Sequence, residues 1–189
     1  MKGFYYEQIP ADVQERIKGK SYPEGAKISL DELCYVHVLH MGFDGETHKG
    51  ELIVNRDIAE DTLSIFRKLY EAEYPIERIE LVDNYEADDL LSMAANNSSA
   101  FCYRVIWGTD EISNHSYGRA IDINPRYNPY ISYHDGVEVI QPDNYVKRDE
   151  NNQHVIGHDD LAYLTFKKYG FEWGGDWEDS KDYHHFQKL

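Results

Sequence analysis

The sequence is poor in positive charge, in cysteine and in long apolar runs. Its 19 lysines and arginines stand against 35 aspartates and glutamates, which gives a formal net charge of −16. Phosphate binding needs a basic surface, so we expect no nucleic-acid partner, and an anionic membrane surface is disfavoured for the same reason. No run of about 18 apolar residues occurs, so no membrane-inserted segment is predicted.

Cysteine is limited to Cys34 and Cys102, and neither belongs to a CxxC pair. Two distant cysteines do not make a disulfide framework, so we expect two buried free thiols, with one disulfide as the alternative in an exported protein. The start, MKGFYYEQIPADVQER, lacks the apolar core of a signal peptide. We therefore expect either a cytoplasmic protein or one whose leader has been removed.

What is present is typical of a globular domain: 41% hydrophobic residues, including 16 tyrosines, in 189 residues. Helix-like spacing predicts helices in PADVQERI and in SLDELCYVHVLHMGF, the second with a capping box at Ser29 and Glu32. The clearest helix is DIAEDTLSIFRKLYEAEYP, with Asp57 and Glu60 as a capping pair and Pro75 as its stop. Its apolar face consists of Ala59, Leu63, Phe66 and Tyr70.

Short strands are predicted at Leu52 to Val54 and in IERIELVD, AFCYRVIW and GRAIDIN. Asp135-Gly136 predicts a hairpin in YISYHDGVEVIQP. Further helices are predicted in EADDLLSMAAN and in DDLAYLTFKKYG, which has Asp159 or Asp160 near its start and Gly170 as a C-cap. This mixture indicates a single α+β domain over residues 1–189.

The stretch SNHSYGRAIDIN places His115 seven residues before Asp122. Gly118 permits a tight turn or a close backbone approach between them, and Ala120 leaves room beside a metal. Strand alternation sends Ile121 and its neighbour Ile123 to one face and Asp122 to the other. The two residues are therefore candidate metal ligands, and a solvated histidine with a surface aspartate is the alternative.

The tail KDYHHFQ supplies a third candidate ligand, either His184 or His185, and an acid, Asp182. Two histidines and one carboxylate are the ligand set of a catalytic zinc site, which leaves one position for water. In a straight strand, residues 182 and 185 would point to opposite faces. The segment must therefore bend if Asp182 and His185 are to face the same metal.

Both stretches resemble those of a known family. SNHSYGRAIDIN is similar to the SxHxxGxAxD signature of the M15 metallopeptidases, which include D-alanyl-D-alanine carboxypeptidases and dipeptidases and L-alanyl-D-glutamate endopeptidases. WGGDWEDSKDYHHFQ resembles the closing segment of that family. The resemblance covers about residues 97–187 and leaves residues 1–95 as an N-terminal elaboration. It implies a hedgehog/DD-peptidase-like fold, in which helices flank a small, mainly antiparallel sheet.

Residue by residue, the resemblance implies Zn²⁺ ligands at His115, Asp122 and His185 and a catalytic acid at Asp182. Members of the family often have another residue, such as tryptophan, where this chain has His184. An upstream arginine that holds a substrate carboxylate or the oxyanion is best matched by Arg104, with an ordinary ion pair as the alternative. Ser113 matches the first signature position, as a substrate contact or as a local turn contact.

The resemblance also implies a function: zinc-dependent hydrolysis of a peptide bond that involves a D-amino acid in the stem peptide of bacterial peptidoglycan. A carboxypeptidase and an L-Ala–D-Glu endopeptidase are both consistent with it, and the family is expected in the cell envelope or secreted. The alternatives are a non-catalytic zinc-binding module and an amidase. Four aromatic residues are either walls of the cleft or core: Trp107, Tyr117, Trp173 and Trp177.

Overall fold

The protein is described by a computed structural model that covers residues 2–106, 109–133, 138–139, 145–148 and 152–189. The helices are α1 (Ala11–Ile17), α2 (Ala59–Glu71), α3 (Asp89–Ala94) and α4 (Leu161–Lys168). The strands are β1 (Tyr5–Glu7), β2 (Leu33–Met41), β3 (Thr47–Asn55), β4 (Arg78–Ile79), β5 (Asn97–Ser98), β6 (Ala120–Asp122), β7 (Tyr130–Ser132), β8 (Glu138–Val139), β9 (Glu172–Trp173), β10 (Ser180–Asp182) and β11 (His185–Gln187).

The strands form small sheets of two or three members. Three of the sheets are antiparallel, with the orders β1-β2-β3, β10-β7-β8 and β6-β11-β9, and β4 pairs with β5 in parallel. Helices and small, mainly antiparallel sheets alternate along the chain, which confirms the predicted α+β class. Within the described residues, none of the helices is both long and apolar enough to cross a membrane.

The helix predicted in SLDELCYVHVLHMGF is wrong. Its capping box does form between Ser29 and Glu32, but it caps only a 3₁₀ turn, Leu30–Glu32. Strand β2 begins immediately afterwards and pairs along its whole length with β3. Val36 and Val38 are β-branched and buried, and nine cross-strand pairs outweigh a local helical pattern.

Helix α2 is confirmed, but its predicted caps are not. Asn55, not Asp57, supplies the capping oxygen, which accepts from Asp57 N at the start of the 3₁₀ turn Arg56–Ile58. The helix then ends at Glu71, four residues before Pro75. The α1, α3 and α4 predictions are also confirmed, and Asp160 caps α4 through a bond from Ala162 N.

The strand predicted in AFCYRVIW does not form over its described residues. Phe101 N donates to Ile53 O, whereas Tyr103 N donates to Ser21 O, so the segment crosses from one partner to another. An isolated bridge joins Val105 to Ile112. β-forming residues favour extended backbone here, but among the described parts of the chain no neighbouring strand runs beside them to complete a ladder.

Other strand predictions hold in shortened or extended form. Leu52 to Val54 is part of the longer β3, IERIELVD contracts to β4, and GRAIDIN contains β6. The predicted hairpin is present as the β7–β8 pairing, although its turn at Asp135-Gly136 lies outside the described residues, as does Trp107. Cys34 and Cys102 are buried free thiols, as predicted.

One buried cluster holds side chains from both ends of the chain. It includes Val36 of β2 and Phe66 of α2 together with Ile121 of β6 and Phe186 of β11. Burying such large apolar groups is the main favourable term in folding. The packing therefore presses the β6–β11 pair against the N-terminal hairpin and helix, which gives the candidate ligands a rigid support.

Candidate active site

The two motifs meet in one antiparallel ladder. Strand β6 pairs with β11 so that Asp122 lies directly opposite His185. On its other side, Asp122 exchanges both backbone hydrogen bonds with Ser99, at 2.8 and 3.1 Å. Directly opposed residues of an antiparallel pair have neighbouring side chains. Residues 63 positions apart along the chain therefore become adjacent.

His115 reaches the same place from a 3₁₀ turn, Asn114–Tyr117, which Ser113 caps by accepting from His115 N. Gly118 ends the turn at φ +63°, and a Cβ there would lie 2.6 Å from Asn55 N. Both predicted reasons for Gly118, the turn and the close approach, hold. His115 Nδ1 contacts Ala100 O, which leaves Nε2 to face Asp122.

Three candidate ligand atoms converge in this pocket. His115 Nε2 lies 3.1 Å from His185 Nδ1 and 3.2 Å from Asp122 Oδ2, and His185 Nδ1 lies 3.2 Å from Asp122 Oδ1. Two ligands of a tetrahedral zinc ion with bonds of about 2.0–2.1 Å lie about 3.3 Å apart. The spacing and the donor types therefore fit such an ion, and the three side chains are buried.

The electrostatics favour an ionised carboxylate at the centre. Burial by itself would raise the pKa of Asp122, but the imidazoles of His115 and His184 outweigh it and hold that pKa well below its ordinary range. Burial lowers the pKa of His185, and hydrogen bonding to Asp122 with nearby carboxylate charge raises it overall. An anionic ligand in a buried pocket is suited to a cation.

Asp182 reaches the edge of this pocket because the tail bends as required. Residues 183 and 184 form a turn between β10 and β11, which belong to different sheets. His184 Nε2 then lies 2.9 Å from Asp182 Oδ1 and 3.8 Å from Asp122 Oδ2. His184 thus bridges the candidate base and a candidate ligand, and it is not part of the three-ligand cluster.

The glycines of WGGDW have a steric reason. A Cβ on Gly174 would lie 2.6 Å from Asp182 O and 2.7 Å from Asp182 Cβ, and a Cβ on Gly175 would meet the Trp173 ring at 2.4 Å. Real Cβ atoms do not approach other atoms so closely. Gly174 is therefore the residue that lets β10 bring Asp182 close to the cluster.

Arg104 lies beside the site and forms an ion pair with Asp89. Its guanidinium is 2.9 Å from Asp89 Oδ2 and donates to Ser113 Oγ at 3.2 Å. Burial disfavours its charge, but the carboxylates of Asp89 and then Asp122 outweigh burial and raise the pKa of Arg104. Ser113 accordingly acts as a local cap and as a partner of Arg104.

The aromatic residues divide between core and site. Trp173 is buried, and its indole N–H donates to Tyr183 O at 3.0 Å. Tyr117 packs against a second core cluster of the N-terminal half. Trp177 is partly exposed, and its ring centroid lies 5.3 Å from that of the ligand candidate His185. Of the three candidate aromatic residues that the structure describes, Trp177 is thus the one placed to wall the pocket.

Several contacts at the site were not predicted from the sequence. Asp89, which pairs with Arg104, precedes the motifs by more than twenty residues and carried no signal beyond its place in a helical turn. Asn128 O contacts His184 Nδ1 at 2.6 Å. Gln187 could have been found, because it lies two residues after His185 on a strand and so faces the same side.

Comparison with known proteins agrees with the motifs. Residues 107–188 match the family model described as D-alanyl-D-alanine carboxypeptidase, of the M15 peptidases. This confirms the resemblance of the C-terminal part of the chain to the M15 peptidases. The match begins after Arg104 and so does not cover that residue. The searches of curated proteins and of solved structures found no match.

Proposed function

We propose that this protein is a zinc-dependent peptidase that hydrolyses a peptide bond involving a D-amino acid in peptidoglycan stem peptides. The observation that carries the proposal is the convergence of His115, Asp122 and His185 at mutual distances of 3.1 to 3.2 Å, with Asp182 linked to them through His184. The family match supports the peptidase class and the D-amino-acid substrate.

His115, Asp122 and His185 would hold the zinc ion. When bound, zinc supplies Lewis acidity, which makes water a nucleophile near neutral pH and stabilises developing negative charge on oxygen. The buried surroundings of the three side chains keep competing water away and strengthen the electrostatic effects. Three protein ligands leave one position open, as expected of a catalytic centre.

Asp182 is the proposed general base and acid. It takes the proton from the attacking water at one of its carboxylate oxygens and returns that proton to the departing amine nitrogen. The turn at residues 183 and 184 and the absence of a side chain at Gly174 hold this carboxylate at the pocket edge. His184 fixes its orientation through the 2.9 Å contact to Oδ1.

Arg104 is the proposed anchor for a substrate carboxylate or for the oxyanion. The guanidinium is already engaged by Asp89 and Ser113, which orient it and reduce its free charge. An arginine that is held in this way is suited to act as a hydrogen-bond donor in a fixed position. Trp177, beside His185, would pack against the substrate.

The test is zinc content together with hydrolysis of purified stem peptides by wild type and Asp182→Asn. We expect about one zinc per chain in both proteins and a loss of turnover of about 10²–10⁴-fold in the variant. The released product, D-Ala or a larger fragment, identifies the bond. Asp179→Asn, an exposed acid on the same segment, is the matched control and should retain turnover.

Two results would contradict the proposal. Wild type without bound zinc would remove the metal mechanism. Zinc binding without turnover on any stem peptide would leave a binding module instead of an enzyme.

A further inference from the structure

We propose that Gln187, held by Glu172, is a positioning residue that fixes the ring of His185 so that Nδ1 faces the metal. This inference rests on the proposed zinc site. It adds two residues to that site, neither of which belongs to the three-ligand cluster.

The first step is the contact between Gln187 and His185. Both lie on β11, two residues apart, so their side chains project from the same face. Gln187 Oε1 lies 3.0 Å from His185 Nε2, and both side chains are buried. Nε2 is the ring nitrogen directed away from the cluster, because Nδ1 is the one that faces Asp122.

The second step is the orientation of the Gln187 amide. Glu172 on β9 lies opposite Gln187 in the ladder, and Gln187 Nε2 lies 3.1 Å from Glu172 Oε2. An ionised carboxylate only accepts hydrogen bonds, so the NH₂ group of Gln187 must point towards Glu172. Its oxygen must then point towards His185, where it also accepts from Asn114 Nδ2 at 2.7 Å.

The third step is the tautomer of His185. Gln187 Oε1 has no proton to give, so His185 Nε2 must carry the hydrogen of their bond, and in the neutral ring that binds a metal Nδ1 is the nitrogen with the lone pair. His115 is arranged in the same way, since its Nδ1 contacts the carbonyl of Ala100. With both rings neutral, two imidazole lone pairs and the Asp122 carboxylate point at one another across 3.1 to 3.2 Å.

Three electron-pair donors that face each other repel unless protons or a metal cation lie between them. Glu172 and Gln187 lie outside the cluster, and their contacts fix the orientation of the His185 ring within it. Partners of this kind orient a histidine ligand and raise its basicity, and their loss costs about 10–100-fold in metal affinity. Without Gln187, the His185 ring is free to rotate and to turn a carbon towards the metal.

The experiment measures the zinc dissociation constant by competition with a chromophoric chelator, together with the visible spectrum of the Co²⁺-substituted protein. The variants are Gln187→Leu, Gln187→Glu and the double exchange Glu172→Gln/Gln187→Glu. Gln14→Leu is the matched control, because Gln14 is a partly buried glutamine in α1, away from the site, whose side chain donates to Ile9 O at 2.8 Å.

We expect Gln187→Leu to bind zinc about 10–100-fold more weakly and to change the Co²⁺ spectrum. Gln187→Glu should also weaken binding, because it sets two carboxylates against each other. The double exchange keeps an acceptor facing His185 and restores the donor–acceptor pair between residues 172 and 187. It should return to within about threefold of wild type, which a loss of packing alone would not predict.

The inference is overturned if folded Gln187→Leu binds zinc as tightly as wild type with an unchanged Co²⁺ spectrum, while the proposed function stands. If Gln187→Leu does not fold, the isosteric variants decide: no recovery in the double exchange relative to Gln187→Glu overturns the inference. A wild type that binds no zinc overturns both proposals, so the two failures are distinguishable.

Discussion

His184 joins Asp182 to Asn128: its Nε2 lies 2.9 Å from Asp182 Oδ1 and its Nδ1 lies 2.6 Å from Asn128 O. Burial disfavours a charged ring, but the carboxylates of Asp182 and Asp122 outweigh it and raise the pKa of His184 to about 9. Both ring nitrogens are thus used in orienting neighbours. His184 is thus placed beside the candidate base, Asp182, and lies outside the three-ligand cluster.

The assignment of the metal ligands can be tested directly. We expect His185→Ala to lose zinc, because it removes one of three ligands. His184→Ala should retain zinc, since His184 Nε2 lies 3.8 Å from Asp122 Oδ2 and its nitrogens are engaged elsewhere. Elemental analysis of both purified variants gives the answer. Zinc retained in His185→Ala and lost in His184→Ala would reverse the assignment.

The stability of the metal-free protein should fall between about pH 6.5 and pH 9. His184 has a folded pKa of about 9 against an ordinary value of 6.5. A raised pKa contributes stability that is fully present below the unfolded value and is lost as pH rises through the folded value. The contribution is roughly 3 kcal/mol for a shift of this size.

Urea unfolding of wild type and His184→Gln at pH 6 and pH 9.5, with a chelator present, measures this effect. Between pH 6 and pH 9.5, the free energy of unfolding should drop less in the variant than in wild type, and the difference should be about that contribution. His158→Gln is the control, because His158 is an exposed histidine that also pairs with an aspartate, Asp176. An equal drop in the free energy of unfolding in wild type and His184→Gln would show that the charge on His184 does not stabilise the fold.

Replacing Arg104 should impair turnover and not zinc binding. Arg104→Met is expected to lower kcat/KM by about 10²–10³-fold, the cost of losing a donor to a developing oxyanion. The kcat/KM of Arg104→Lys should lie between those of wild type and Arg104→Met, because an ammonium keeps the charge but cannot reproduce a planar guanidinium. Steady-state kinetics on stem peptides measure this. Arg126→Met, at an exposed position, is the control, and an Arg104→Met enzyme as active as that control would remove Arg104 from the mechanism.

Gly174→Ala should displace the catalytic carboxylate. The added methyl would lie 2.6 Å from Asp182 O and 2.7 Å from Asp182 Cβ, and overpacking of this kind costs about 1–3 kcal/mol. We expect a lower free energy of unfolding and a lower kcat with zinc still bound. At Gly157 a Cβ would meet no atom within 4 Å, so Gly157→Ala should be neutral. Full activity in Gly174→Ala would refute this steric role.

Local patterns predicted the elements that depend on local interactions. Helix α2 follows from its apolar face, and α4 from Asp160 at its start and Gly170 at its end. The failure at residues 29–43 has the opposite cause. A correct capping box there starts only one turn, because β3, which lies further along the chain, offers β2 nine cross-strand pairs. The stabilisation that a strand gains by pairing with a distant strand cannot be read from its local sequence.

The sequence by itself determined the chemistry available to this protein: the motif residues His115, Asp122, Asp182 and His185, and the family they indicate. Tertiary structure decided which atoms meet. The β6–β11 register places Asp122 opposite His185. The turn at residues 183 and 184 brings His184 into contact with Asp182, and Asp89 forms an ion pair with Arg104. These are contacts between distant residues, and they exist only after the shared core has packed the strands together.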